Sequence, residues 1–332
     1  MSIGVRNSKS QLRKSGNYIL FLINIIAIII IALLGSGCEE KSLLRVGILP
    51  NEEAFPIYVA QEEGIFKKYG VSVEIVPFQS ASERDAAIQA GTIDGAEGDM
   101  IAVALLRKGG IPVKATAVAL GATPSEGRYA LLSAPGNITN VFKIKDKTMA
   151  ISKNTIIEFA ADEMLKIKGI NPNSVKKVYV PKMPLRLEML IQKKVDTAVL
   201  PEPLASLAEL KGAKVLIDDT KLPINLTQSV FFFREDALKK KKKEIQKFLL
   251  AFEESGKEVT QNPEKYRDLF NKKIEVPLEL QKSFPIPKFS PLQLPNRENV
   301  NLVLKWMMEK KLLERIYSYE ELVDRDILVN MK

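Results

Sequence analysis

From residue 43 to about residue 217 the chain alternates short apolar runs with stretches of helical spacing. Residues 43–49 are a compact apolar run and read as a buried strand. Residues 50–53 turn. Residues 54–69 set Ile57, Tyr58, Ala60, Ile65 and Phe66 at helical spacing, and Gly70 stops the helix. Residues 71–78 alternate as a strand. A helix over 83–90 stops at Gly91, with Ser82 and Asp85 resembling a capping box. A helix over 100–108 closes at Gly109, and a strand over 114–120 ends at Gly121. This βαβαβαβ order predicts an α/β lobe with mainly parallel strands.

The pattern breaks at 122–126 and resumes. Residues 128–133 are extended and cross into a second lobe. That lobe comprises a strand at 148–151, a helix over 155–168 capped by Asn154, and a strand at 175–180. A helix over 184–193, a strand at 197–200, a helix over 203–210 and a strand at 215–217 complete it. Residues 230–233 cross back. The remainder reads as helical: one long helix over 238–261, then segments at 263–270, 278–284 and 300–313. A connector at 285–295 carries Pro285, Pro287, Pro291 and Pro295.

Two stretches echo each other. Ile93-Asp-Gly-Ala-Glu-Gly-Asp-Met-Ile-Ala102 and Val195-Asp-Thr-Ala-Val-Leu-Pro-Glu-Pro-Leu-Ala205 both run from a β-branched residue and Asp, through a short strand, into a new helix. An acid stands near each helix start, Asp99 in one and Glu202 in the other. Strand ends that meet helix N-termini are where open α/β sheets place ligands, because free N–H groups converge there. Two such corners predict two similar lobes facing a cleft.

Composition narrows the chemistry. The 332 residues suit about two domains. There is no histidine and one cysteine, which removes His-dependent triads, the usual zinc sites and any internal disulfide. No cofactor or metal is expected, nor an enzyme. The net charge is +9, and the first 38 residues contribute Arg6, Lys9, Arg13 and Lys14 with no acid. Lys239–Lys243 has no interleaved aromatics and reads as a solvated helix face, so no nucleic-acid partner is expected. Basic residues 1–17, an apolar run at 18–34 and Gly35-Ser-Gly-Cys38 have the layout of an export signal. Cys38 is the expected lipid attachment point. An uncleaved anchor is the alternative, and both put the rest of the chain outside the cytoplasm.

Cys38, Leu44-Arg-Val-Gly-Ile-Leu-Pro50, Ala60-Gln-Glu-Glu-Gly-Ile-Phe-Lys-Lys-Tyr-Gly70, Ala90-Gly-Thr-Ile-Asp-Gly-Ala96 and Pro201-Glu-Pro203 together resemble a bacterial solute-binding lipoprotein of an ABC importer. The group it is most similar to serves nitrate, sulfonates, taurine and thiamine-pyrimidine precursors. The resemblance implies the two-lobed periplasmic-binding architecture, type II-like, with two crossovers and a helical C-terminal segment. It divides the chain into a signal over 1–38, a first lobe at 39–127 and 230–332, and a second lobe at 128–229. It implies a monomer tied to the outer face of the membrane by its lipid, partnered by a permease and its ATPase, and binding a small-molecule solute. The alternatives are a ligand-presenting partner of a membrane sensor, or a pyrimidine- or menaquinone-pathway enzyme of the same fold.

The cleft candidates are loops at strand ends and helix starts. In the first lobe they are Asn51, Phe55, Gln79, Ser80, Asp99, Met100 and Gly121. In the second they are Ser152, Asn154, Thr155, Glu202 and Pro203. Asp99 and Glu202 disfavour a bare oxyanion, and only Arg128 and Arg186 stand near these loops. The residues therefore favour a small nitrogenous organic molecule, such as a pyrimidine-type thiamine precursor, with Phe55 to stack on a flat ring; sulfonate, taurine or nitrate is the alternative.

Overall fold

The computed structural model describes residues 42–224, 226–329 and Met331. The export signal and Cys38 lie outside the described residues. In the described part the strands form two five-stranded sheets.

The first sheet begins with β1 (Leu43–Ile48), followed by helices α1 (Phe55–Glu62) and α2 (Ile65–Lys68), then β2 (Ser72–Pro77). Helix α3 (Ala81–Gln89) leads to β3 (Gly95–Gly98), and α4 (Met100–Lys108) leads to β4 (Val113–Leu120). The chain crosses as β5 (Tyr129–Ser133) into the second sheet. There β6 (Thr148–Ile151), α5 (Ile156–Ile167), β7 (Lys176–Tyr179), α6 (Met183–Ile191), β8 (Thr197–Pro201), α7 (Leu204–Leu210) and β9 (Lys214–Asp218) follow. It returns as β10 (Ser229–Arg234) and ends in α8 (Glu235–Lys240), α9 (Lys242–Gln261), α10 (Arg267–Lys273), α11 (Arg297–Glu309) and α12 (Tyr319–Leu322).

The two sheets have one plan. Their orders are β2-β1-β3-β10-β4 and β7-β6-β8-β5-β9. In each, the fourth strand in order is antiparallel to its neighbours and is the strand on which the chain arrives from the other lobe. The echo in the sequence is thus an echo in space. Asp94 and Asp196 do the same local work: the Arg45 N–H donates to Asp94 Oδ2 at 2.8 Å, and the Thr148 N–H donates to Asp196 Oδ2 at 2.8 Å. Each ties the approach to β3 or β8 onto the neighbouring strand.

Three helical expectations change. The run over 54–69 is two helices, because Gly64 sits at φ +70°, a left-handed conformation that ends one and starts the other. The run over 238–261 breaks at Lys241, whose ammonium turns inward to Asp94 (2.8 Å) and the Leu43 carbonyl (2.7 Å). The lysine run therefore spans two helices, with Lys241 at the break. Residues 278–284 form hydrogen-bonded turns between Pro277 and Pro285 rather than a helix.

The lobes touch along a seam. Trp306 on α11 is buried and meets Phe159 of α5 edge-on, centroids 5.6 Å apart. Its indole N–H donates to Asp162 Oδ2 at 3.0 Å. Lys310 donates to Glu158 at 2.7 Å, and Lys166 of α5 donates to Glu309 at 2.7 Å. Helix α11 also packs on α4, so it lies between an element of each sheet.

Candidate functional site

A cavity of about 50 Å³ lies where the corner after β3 meets the corner after β6 and β7. The first lobe lines it with Asn51, Glu53, Ser80, Arg84, Glu97 and Asp99. The second contributes Tyr129, Ser152, Thr155, Ile156 and Arg186. Asp99 caps α4: its Oδ1 accepts from the N–H groups of Ile101 and Ala102, both at 2.9 Å. Ser80 caps α3 and accepts from the Glu83 N–H at 3.3 Å. Thr155 caps α5, its Oγ1 accepting from the Ile157 N–H at 3.2 Å.

Two arginines face this cavity, both about 1% exposed. Arg84 lies one turn before Ile88 on the buried side of α3. Its Nη1 donates to the Glu97 carbonyl at 2.9 Å, and it forks onto Asp85 with bonds of 2.9 and 2.8 Å. Gly98 leaves room for this guanidinium, since a Cβ there would lie 2.6 Å from Nη1. Burial works against its charge, but Asp85, Asp99 and Glu97 hold the proton more firmly than usual. Arg186 occupies the matching place on α6 and donates from Nη1 to the Val199 carbonyl at 3.1 Å. It also donates to the carbonyls of Val180 (3.1 Å) and Pro181 (3.2 Å). Among the described residues no carboxylate pairs with it, and burial pushes its pKa down to about 10, so it stays charged at neutral pH.

The first-lobe wall also holds acids. Burial, then the nearby Glu97, pushes Glu53 up to about 8. Burial, opposed by Arg84, pushes Glu97 up to about 7. Burial likewise raises Asp99, opposed by Arg84 and by its backbone donors. Asn51 Oδ1 and Glu97 Oε2 are buried without a hydrogen-bond partner.

The expected site residues divide. Asn51, Ser80, Asp99, Ser152 and Thr155 come together around the cavity. Met100 borders a smaller adjoining void with Asp99, Ile156 and Gln228. Phe55 does not reach the cavity: it is fully buried, its ring edge-on to Phe270 at 4.8 Å, because its helix turns that face to the core. Gln79 is exposed, with its backbone N–H on Glu83 Oε2. Gly121 begins the first crossover at φ +83° and accepts from Gln228 at 3.3 Å. Asn154 is exposed at φ +59° and is not the cap of α5, which falls to Thr155 one residue on. Glu202 lies apart from Asp99. Arg128 donates to its Oε1 at 2.6 Å, and Ser206 donates to both its oxygens. It borders a separate groove beside the crossovers, with Arg128, Thr123 and residues 285–291. Pro203 precedes α7 and is not part of the cavity wall.

Glu53, Arg84, Glu97 and Tyr129 were not among the candidates. A signal for the arginines is present: each stands at an apolar-face position, Arg84 four before Ile88 and Arg186 three after Met183 and four before Leu190. A charge on a core-facing stripe is either paired or waiting for a partner.

Residues 51–266 match the family model described as NMT1/THI5 like. The chain belongs to the NMT1/THI5-like family. A Brachyspira hyodysenteriae protein named as an ABC transporter periplasmic binding protein is 26% identical over 235 residues, 66% of each chain. The bicarbonate-binding protein CmpA of Synechococcus elongatus is 37% identical over 81 residues, 23% of this chain and 18% of its own. The chain thus spans about two thirds of the first relative and under a fifth of the second. Among solved structures, the aliphatic sulphonate binding protein SsuA of Escherichia coli superposes with a TM-score of 0.72 at 19% identity, covering 86% of this chain and 98% of SsuA. The nitrate-binding protein NrtA of Synechocystis gives 0.70 at 15%, covering 88% of each. These likenesses agree with the two-lobed periplasmic-binding fold. The relatives named here are binding proteins rather than enzymes.

Proposed function

We propose that this chain is the exported solute receptor of an ABC importer, held at the outer face of the membrane by lipid on Cys38. It captures a small polar solute between its lobes and hands it to a permease driven by an ATPase. It performs no chemistry on that solute. The observation that carries the reading is the cavity itself: buried ionisable side chains from both sheets converge on one small space, as a ligand enclosed by two lobes requires. The crossovers near 121–128 and 226–229 serve as the hinge, and the Trp306–Asp162 seam closes with it.

The test is transport and closure together. Deleting the gene should abolish uptake of the compound that co-purifies with the protein, and Cys38→Ala should abolish lipid labelling. Trp306 is the chain's single tryptophan, so its emission reports the seam. Ligand addition should shift that emission and compact the scattering profile. Uptake that survives deletion, with no change in Trp306 emission on binding, would sink the receptor reading.

A further inference from the structure

The cavity has two unlike walls. On the second-lobe wall, Arg186 is a buried guanidinium that meets only carbonyls among the described residues. Ser152 and Thr155 stand beside it at the start of α5, where the helix favours negative charge. An unpaired buried charge is costly, and one that persists in a binding cavity is matched by what enters. On the first-lobe wall the cation is already matched, because Arg84 is forked onto Asp85 and flanked by Glu97 and Asp99. What this wall leaves open are two single acceptor atoms, Asn51 Oδ1 and Glu97 Oε2, in side chains 5% and 2% exposed, although the Glu97 carboxyl is otherwise hydrogen-bonded by the Asn51 side chain and the Leu49 backbone. A buried acceptor without a donor calls for an N–H or O–H from the ligand.

We infer that the ligand is bipolar: an anionic oxygen-bearing end binds Arg186 and the start of α5, and an N–H-bearing end binds Asn51 and Glu97. This deepens the receptor reading and rests on it. A bare inorganic oxyanion or an unsubstituted alkanesulfonate supplies only the first end and leaves the first-lobe acceptors unmet. An amine supplies only the second. The class selected is a small aminoalkyl acid or a compound of like polarity, in which a few bonds separate the acidic oxygens from the N–H group.

Matched probes decide it. Taurine against ethanesulfonate, and β-alanine against propionate, differ in the amino group alone. Calorimetric titration of the full chain in mild detergent should show the amino member of each pair binding about tenfold or more tightly. Glu97→Gln, which removes the carboxylate charge but keeps an amide acceptor, should shrink that difference. The compound retained by the protein from its host, identified by native mass spectrometry, should carry both an acidic oxygen group and an N–H group. Amino-free probes that bind as tightly as their partners overturn the inference. So does a retained compound lacking either end, and so does failure of all four probes with no retained compound. A retained compound lacking one end that is nonetheless imported leaves the receptor reading standing and removes only the bipolar one.

Discussion

The two lobes place an arginine at the same corner and treat it in opposite ways. Thirteen residues separate Arg84 from the carbonyl it bonds at Glu97, and thirteen separate Arg186 from the carbonyl at Val199. The scaffold is shared; the surroundings are not. Asp85 follows Arg84 and pairs with it, where Leu187 follows Arg186. Glu97 stands on one strand where Val199 stands on the other. The first lobe has a compensated cation and spare acceptors, the second an uncompensated cation. The same sheet plan thus carries a paired arginine in one lobe and an arginine without a carboxylate in the other. The acids at the helix starts diverge in the same way. Asp99 remains at the cavity, whereas Glu202 is committed to Arg128, which also binds Glu209 and Asp218.

Breaking the pair at each arginine should give contrasting losses. Arg186→Gln should cost ligand affinity about a hundredfold or more, since it removes a desolvated charge contact. Its stability cost should come from the backbone carbonyls it leaves unpaired rather than from orphaned carboxylates. Arg84→Gln should do the reverse. Leaving Asp85, Glu97 and Asp99 without their cation should destabilise the fold by about 3 kcal/mol. Thermal melts and titrations of both variants check this, and equal stability losses would contradict the distinction.

A smaller effect concerns pH. The carboxyls of Glu53 and Glu97 are raised by burial from 4.5 to about 8 and about 7. Their contribution to stability is fully present below about 4.5 and is lost as pH rises through those values, because the folded state holds protons that the unfolded chain has released. Without ligand, the melting temperature should therefore fall from pH 5 to pH 8.5, and less steeply in Glu97→Gln. Asp196 and Asp218, held low by hydrogen bonds and nearby cations, act in the other direction and only as pH drops through their own low range. A wild-type curve parallel to that of Glu97→Gln would show that the acid wall is not titrating.

The smallest expected change is Asp99→Asn. Its Oδ1 caps α4, and asparagine caps about as well as aspartate. Affinity should move by less than about threefold, and a larger loss would place the charge of Asp99 on the ligand.

Much of this was legible from the pattern of apolar positions. Strand runs such as 43–49 and 114–120 have one buried reading, and the Ile93-Asp and Val195-Asp echoes announced the repeated corner. Asn51, Ser80, Asp99, Ser152 and Thr155 were found because strand ends and helix starts converge by topology. What escaped was set by side-chain direction. Phe55 could stack on a ligand or fill the core, and only the rotation of α1 decides. Glu202 looked like the partner of Asp99 until Arg128 and Ser206 claimed both of its oxygens. Arg84 was masked by adjacent Glu83 and Asp85, which make its helix look solvated although its own side faces inward.

The most direct test gives Arg186 what Arg84 already has. Leu187→Asp places a carboxylate at the position that Asp85 occupies in the first lobe. Calorimetry should show affinity for the retained ligand falling about tenfold or more, with a lower melting temperature because Leu187 is taken out of the second-lobe core. Undiminished affinity in a folded Leu187→Asp protein would mean that Arg186 is not kept open for the ligand, and the contrast between the lobes would lose its functional meaning.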